Sequence, residues 1–228
     1  MKIKSSRGPL IINLKNYLET AGENTMKIIK DVEKVSEKID VEIIVSPPQP
    51  SLALVASQTS LKIISQHIDI KKSGSSTGYY IPEIIQKVGA FGSIINHSEH
   101  EIKIEEISLS IEKLRELNLI SIVCIKSAKD LKNILDFNPN YIAIEPPELI
   151  GTQKSISTER PYLITECSNI INDVKSESKL ICGAGISTKE DVKIALENGS
   201  SGILVSSSIT KSLNWYDKIF ELASAFVV

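Results

Sequence analysis

The chain has 228 residues, 42% of them apolar, with a formal net charge of −2. That length suits one α/β domain, so residues 1–228 read as a single domain. No apolar run approaches the roughly 18 residues of a membrane span, and the short run after the first lysines lacks the marks of a secretory leader. The charge balance supplies no global positive field for nucleic acid, so neither a nucleic-acid nor a membrane partner is expected. Cys124, Cys167 and Cys182 are odd in number and lie in apolar segments, which reads as buried free thiols in a reducing cytoplasm.

Eight short β-branched runs recur at 9–14, 41–45, 61–65, 91–95, 120–124, 141–144, 180–182 and 202–205. They are continuous instead of alternating, as expected of parallel strands covered on both faces. Between them the apolar period becomes helical, as with Ile28, Val32, Val35 and Ile39, then Ile104, Ile107, Ile111 and Leu114. Leu163, Cys167, Ile170 and Val174 form another stripe, and Trp215, Ile219, Leu222 and Phe226 follow the last run. Ser127 with Asp130, and Ser187 with Glu190, suit helix starts; Pro82 suits a first helical position; Gly89 and Gly199 suit helix stops. Strand then helix, eight times over, predicts a closed (β/α)8 barrel of eight parallel strands ringed by helices, with its chemistry on the loops after the strands. An open doubly wound sheet is the alternative, but no G-x-G-x-x-G follows the first run.

The strand ends carry the chemistry. Asn13 and Lys15, two residues apart, point the same way and can both reach into the barrel mouth. Asn96-His97-Ser98-Glu99 ends the fourth strand, with Glu99 able to orient a neighbour of His97; His67 and His100 read as structural or surface residues. Glu145 ends the sixth, where a carboxylate is costly to bury unless it is partnered or moves protons. Pro146 and Pro147 then stiffen the hinge of a loop that can act as a lid. Gly183-Ala184-Gly185-Ile186, leading into the helix capped by Ser187, and Ser206-Ser207-Ser208 after the eighth strand, suit a phosphate cradle.

Taken jointly, Asn13-x-Lys15, Asn96-His97-Ser98-Glu99, the segment from Glu145-Pro146-Pro147 to Gly151-Thr152, and Cys182-Gly183-Ala184-Gly185-Ile186 resemble the triosephosphate isomerase family in its compact archaeal form. The match spans nearly the whole chain, its motifs in order at the matching strand ends. The resemblance implies interconversion of dihydroxyacetone phosphate and D-glyceraldehyde 3-phosphate through an enediolate, a step of glycolysis and gluconeogenesis, with no cofactor and no metal. It gives Glu145 the part of the base, His97 that of the electrophile, and Lys15 that of the electrostatic stabiliser. Asn13 would help hold the developing oxyanion, and Glu99 would position Lys15 or His97. Gly151, Gly183, Gly185, Ser187, Ser206 and Ser207 would bind the substrate at its phosphate. The family is itself a standard example of a neutral histidine electrophile and of loop closure that excludes water.

Two departures stand out: Gln153 and the pair Ser206-Ser207 occupy places where relatives commonly have glycine. Gln66 and Thr77-Gly78 resemble the family's third loop, which packs into a neighbouring subunit. The chain is also shorter than the typical barrel of about 250 residues. Trimmed helices leave apolar surface to cover, so a homo-oligomer, a tetramer as in the compact relatives, is expected. Other phosphate-binding barrels, such as a metal-dependent pentose-phosphate epimerase or a tryptophan-pathway isomerase, would share the cradle but need different strand-end residues. A non-enzymatic sugar-phosphate sensor would have no need of Glu145 facing a reacting carbon.

Overall fold

The computed structural model describes the backbone of residues 3–4, and residues 8–152 and 154–227. Its barrel strands are β1 (Leu10–Asn13), β2 (Ile43–Ser46), β3 (Lys62–Ile63), β4 (Gly92–Ile95), β5 (Ile120–Ile125), β6 (Tyr141–Ile144), β7 (Lys179–Cys182) and β8 (Gly202–Val205). All pair in parallel, in the order β3-β2-β1-β8-β7-β6-β5-β4. The two ends of that list meet just beyond β3: Ser65 bridges to Ser93, the Phe91 amide donates to the Ile63 carbonyl at 2.7 Å, and the Ile94 amide donates to the Ser65 carbonyl at 2.9 Å. The sheet thus becomes a barrel of eight parallel strands ringed by helices. A separate short parallel pair joins Ile3–Lys4 to Ile39–Asp40.

The helices are α1 (Glu23–Lys38), α2 (Leu52–Gln58), α3 (Pro82–Lys87), α4 (Ile104–Glu116), α5 (Ala128–Leu135), α6 (Ile156–Glu159), α7 (Pro161–Asp173), α8 (Lys189–Glu197), α9 (Ser207–Thr210) and α10 (Trp215–Ala223). None is long and apolar enough to cross a membrane. The predicted stripes face inward over most of their length, but their ends do not. Ile104 opens α4 at 40% exposure and Val174 follows α7 at 60%, because a helix end turns away from the sheet that its middle covers. Ile39 is buried too, but in the outer strand pair instead of α1. The cap of α5 is Ser127 as anticipated. That of α8 falls one residue later than Ser187 and Glu190 suggest: Thr188 accepts the Asp191 amide while the Asp191 carboxylate accepts the Thr188 amide.

Period-two alternation divides the core into two shells. Ile11, Ile44, Ile64, Ile94, Ile122, Cys124, Ala143, Ile181 and Leu204 pack together inside the barrel. Their strand neighbours, such as Ile12, Val45, Ile95, Ile144 and Val205, join the larger cluster beneath the helices. Both faces of each strand are therefore dry, which is why the runs are unbroken.

Candidate active site

Two residues beyond the inward layer, the same alternation turns from apolar to polar. Asn13 follows Ile11, Ser46 follows Ile44, Glu145 follows Ala143 and Ser206 follows Leu204, so one end of the barrel carries a polar ring. Here a cavity of about 440 Å³ opens, bordered by Asn13, Lys15, His97 and Glu145 on one side and by Gly151, Gly185, Ser187, Ser206 and Ser207 on the other. Gly183 does not border it. Its backbone lies so close to Glu145 that an added Cβ would meet the carboxylate at 2.8 Å and the Leu204 carbonyl at 2.9 Å.

Two side chains reach the mouth through left-handed backbone. Lys15 has φ 49°; its amide donates to Asn13 Oδ1 at 2.9 Å and its carbonyl accepts Gln66 Nε2 at 2.9 Å. Asn96 has φ 58°, and its side chain is tied to the Cys124 carbonyl and the Ile102 amide at 3.0 and 3.1 Å. This turn interrupts the strand alternation and brings His97 inward, 7% exposed.

Glu99 links the two. Its carboxylate pairs with Lys15 Nζ at 2.8 Å and stands 3.7 Å from His97 Nδ1, while its amide donates to that nitrogen at 3.2 Å. His97 Nε2 lies 3.6 Å from Glu145 Oε2, too far for a hydrogen bond and close enough for both to touch one small molecule. Glu99 itself borders an adjoining cavity with Gln66, His67 and His100, where the His67 and His100 rings stack with centroids 4.0 Å apart.

Burial raises the Glu145 carboxyl above its ordinary value; the nearby His97 and Lys15, and a hydrogen bond from Cys124, pull the other way and do not cancel it. Glu145 Oε2 is buried and has no hydrogen-bond partner among the described residues. Burial first, and Glu145 second, push the Cys124 and Cys182 thiols well up, so they are protonated packing groups and not nucleophiles. The buried carboxylate, with one oxygen left without a partner among the described residues, is the group in this cavity best built to accept a proton.

Directly after Glu145, Pro146 leads into a 3-10 turn, Pro147–Leu149, held from outside by an ion pair of Glu148 with Arg160 at 2.5 Å. Gly151, with φ 73°, needs a glycine's freedom. Gln153 lies outside the described residues. The segment returns against the β7 loop, where a Cβ on Gly185 would run into the Lys154 carbonyl and the Ile156 amide donates to the Ala184 carbonyl at 3.1 Å. Ser187 borders the cavity, but its amide and hydroxyl go to Asp191 Oδ2 at 3.0 and 3.3 Å. Burial would raise the Asp191 carboxyl, and the Ser187 and Thr188 donors outweigh it and hold the group below its ordinary value. The amide role anticipated for Ser187 is therefore already filled inside the protein. Tyr17, Lys211 and Lys218 also border the cavity and went unnoticed in the sequence. Tyr17 continues the spacing of Asn13 and Lys15, which could have flagged it. Lys211 and Lys218 follow the last strand and carry no local signal.

Among the described residues, no group of three or more His, Cys, Asp and Glu gathers as a metal site would require. The family model for triosephosphate isomerase matches residues 9–223. The triosephosphate isomerase of Cenarchaeum symbiosum is 44% identical over 221 residues, covering 96% of this chain and 99% of that protein. That of Caldivirga maquilingensis is 39% identical over 218 residues, covering 96% and 97%. That of Methanocaldococcus jannaschii is 37% identical over 213 residues, covering 93% and 97%. A barrel with this polar mouth, matched along nearly its full length, belongs to the triosephosphate isomerase family, the isomerases that interconvert dihydroxyacetone phosphate and D-glyceraldehyde 3-phosphate.

Proposed function

We propose that Glu145, His97 and Lys15 carry this interconversion. What supports the reading is a single observation: one cavity is bordered by all three, with the carboxylate buried and its Oε2 without a hydrogen-bond partner among the described residues. Glu145 removes a proton from the carbon beside the substrate carbonyl, and the C–H electron pair moves into the new C=C bond as the carbonyl oxygen gains charge. His97 Nε2–H donates to that oxygen, the Lys15 ammonium stabilises the enediolate, and Asn13 helps hold it. Glu145 then returns the proton to the adjacent carbon. The hydroxyl on the first carbon gives up its proton to become the new carbonyl and the former carbonyl oxygen gains one, an O-to-O exchange within reach of His97 Nε2, so the cycle needs neither oxidant nor cofactor. A carboxylate stripped of water is a stronger base, which suits it to a weakly acidic C–H.

At the other end, the amides of Gly151, Gly185 and Ser207, with Ser206, take the phosphate, while Ser187 shapes the wall and Gly183 backs Glu145 from behind it. Glu99 positions Lys15 through its ion pair and His97 through its amide. The enzyme works in the cytoplasm, consistent with three buried free cysteines, as one domain spanning residues 1–228. It works as a homo-oligomer, a tetramer in the compact archaeal manner. The six-residue α3 with its exposed Ile84, and the exposed Tyr79 and Tyr80 just before it, leave apolar surface for a neighbour to cover.

The test is a coupled assay of the purified protein with dihydroxyacetone phosphate, with and without a chelator. Turnover indifferent to chelation is expected, and a rate that disappears with the chelator would sink the metal-free mechanism. Sedimentation of the same sample reads the assembly state, where a monomer would refute the tetramer.

A further inference from the structure

We propose that Lys218 is a phosphate-recognising residue of this isomerase, an ammonium fixed beside the loop between β7 and α8 that offers a charge-assisted donor to the substrate. The inference rests on the reading that this end of the cavity takes the phosphate. Lys218 lies early in α10 with its side chain 26% exposed, and its Nζ donates to the Ser187 carbonyl at 3.1 Å and to Glu221 Oε2 at 2.6 Å. An ammonium has three N–H donors. Two are used here, the third has no partner among the described residues, and the cavity that Lys218 borders is the one bordered by Gly185 and Ser207.

The charge is held in place before any ligand arrives. Glu221 accepts the Lys189 amide through its other oxygen at 3.1 Å, so the Lys218–Glu221 pair spans Thr188 and grips the loop on both sides. A donor already immobilised loses little further freedom on binding. Lys211 differs: it borders the same cavity but is exposed, with its Nζ 5.1 Å from the Tyr17 ring centroid. A second observation points to a polar ligand at this wall. The hydroxyl oxygens of Ser206 and Ser208 are buried without a partner among the described residues, a cost that a phosphate oxygen can remove after one rotation about χ1.

Lys218→Met and Lys218→Arg separate this from a purely structural strut. Turnover of dihydroxyacetone phosphate, competitive inhibition by inorganic phosphate, and the slow turnover of D-glyceraldehyde, which lacks the phosphate, are measured for each. Lys218→Met is expected to raise KM and the inhibition constant of inorganic phosphate about tenfold or more, and to weaken their dependence on ionic strength. Its D-glyceraldehyde turnover should stay at the parental level, and Lys218→Arg should recover most of the phosphate affinity. If Lys218→Met does not fold, Lys218→Gln, which keeps a donor for the Ser187 carbonyl, must give the same rise. Unchanged inhibition by phosphate in a folded variant overturns the proposal. So does a parallel loss with D-glyceraldehyde, which would mark Lys218 as a strut alone. A parent enzyme that turns over its substrate but is not inhibited by phosphate would instead overturn the reading of this end of the cavity, and the role of Lys218 with it.

Discussion

The backbone of Glu99 fixes the ring of His97: its amide donates to Nδ1 at 3.2 Å. A ring nitrogen that accepts an amide proton carries none itself, so the imidazole proton sits on Nε2, which faces Glu145 across 3.6 Å. The tautomer needed by an electrophile is thus set by main chain and survives changes to the Glu99 side chain. Nitrogen NMR of the imidazole should show Nε2 protonated and Nδ1 bare, in the parent and in Glu99→Gln alike. His97→Gln should lower kcat about a hundredfold or more. A ring protonated on Nδ1 would remove His97 as the donor to the carbonyl.

Glu145→Gln keeps the shape of the side chain and removes its basicity, so kcat should fall at least about a thousandfold while inorganic phosphate still binds. The same variant tests the electrostatics. Burial lifts the folded-state value of Glu145 above its unfolded one, so the folded chain keeps this proton to higher pH than the unfolded chain does. Stability therefore falls as pH rises through the interval between the two values, and above it the buried carboxylate is a cost of folding that the variant lacks. Glu145→Gln should melt higher than the parent at neutral pH, with the advantage fading in acid below the ordinary glutamate range. For the parent, kcat/KM should fall as the pH drops through the raised value. A variant that melts lower at neutral pH would contradict the burial argument.

The strands were legible because each is dry on both faces, which writes an unbroken apolar run, and Lys15, His97 and Glu145 were legible because each stands just past such a run. The cap of α8 was not, because Ser187-Thr188 and Glu190-Asp191 give two adjacent hydroxyls and two adjacent acids in the right spacing. Only backbone geometry decides between them. Gly183 and Gly185 look alike in a Gly-x-Gly turn, yet one backs onto Glu145 and the other meets the backbone of Lys154. Lys218 reaches the cavity because α10 packs beside the loop after β7, a tertiary relationship with no trace in local pattern.

Gly183→Ala tests how closely the carboxylate is positioned. The new methyl would stand 2.8 Å from Glu145 Oε1 and 2.9 Å from the Leu204 carbonyl, and only the first of these can swing away. The variant should fold with a loss of about 1–3 kcal/mol, the usual cost of overpacking, measured by denaturant unfolding. Because a base displaced by even about 1 Å is a poor one, kcat should fall on the order of a hundredfold while KM changes little. Parental kcat in a folded Gly183→Ala enzyme would show that the position of Glu145 is not set from this side.

Lys15 brings its ammonium to the mouth at the expense of a left-handed backbone, φ 49°, which disfavours any residue with a Cβ. The strain is held from both sides by side chains: Asn13 Oδ1 accepts the Lys15 amide and Gln66 Nε2 donates to its carbonyl, each at 2.9 Å. Two comparisons follow. Lys15→Gly and Lys15→Ala should both be inactive, but the glycine variant should be the more stable by about 1 kcal/mol, since it alone adopts this conformation freely. Asn13→Ala leaves the ammonium present but lets the turn relax, so kcat/KM should fall about tenfold or more, with about 1 kcal/mol lost from the fold. Equal melting of the two Lys15 variants would mean that the left-handed turn costs nothing. An Asn13→Ala enzyme of parental activity would mean that Lys15 needs no such bracket to be aimed.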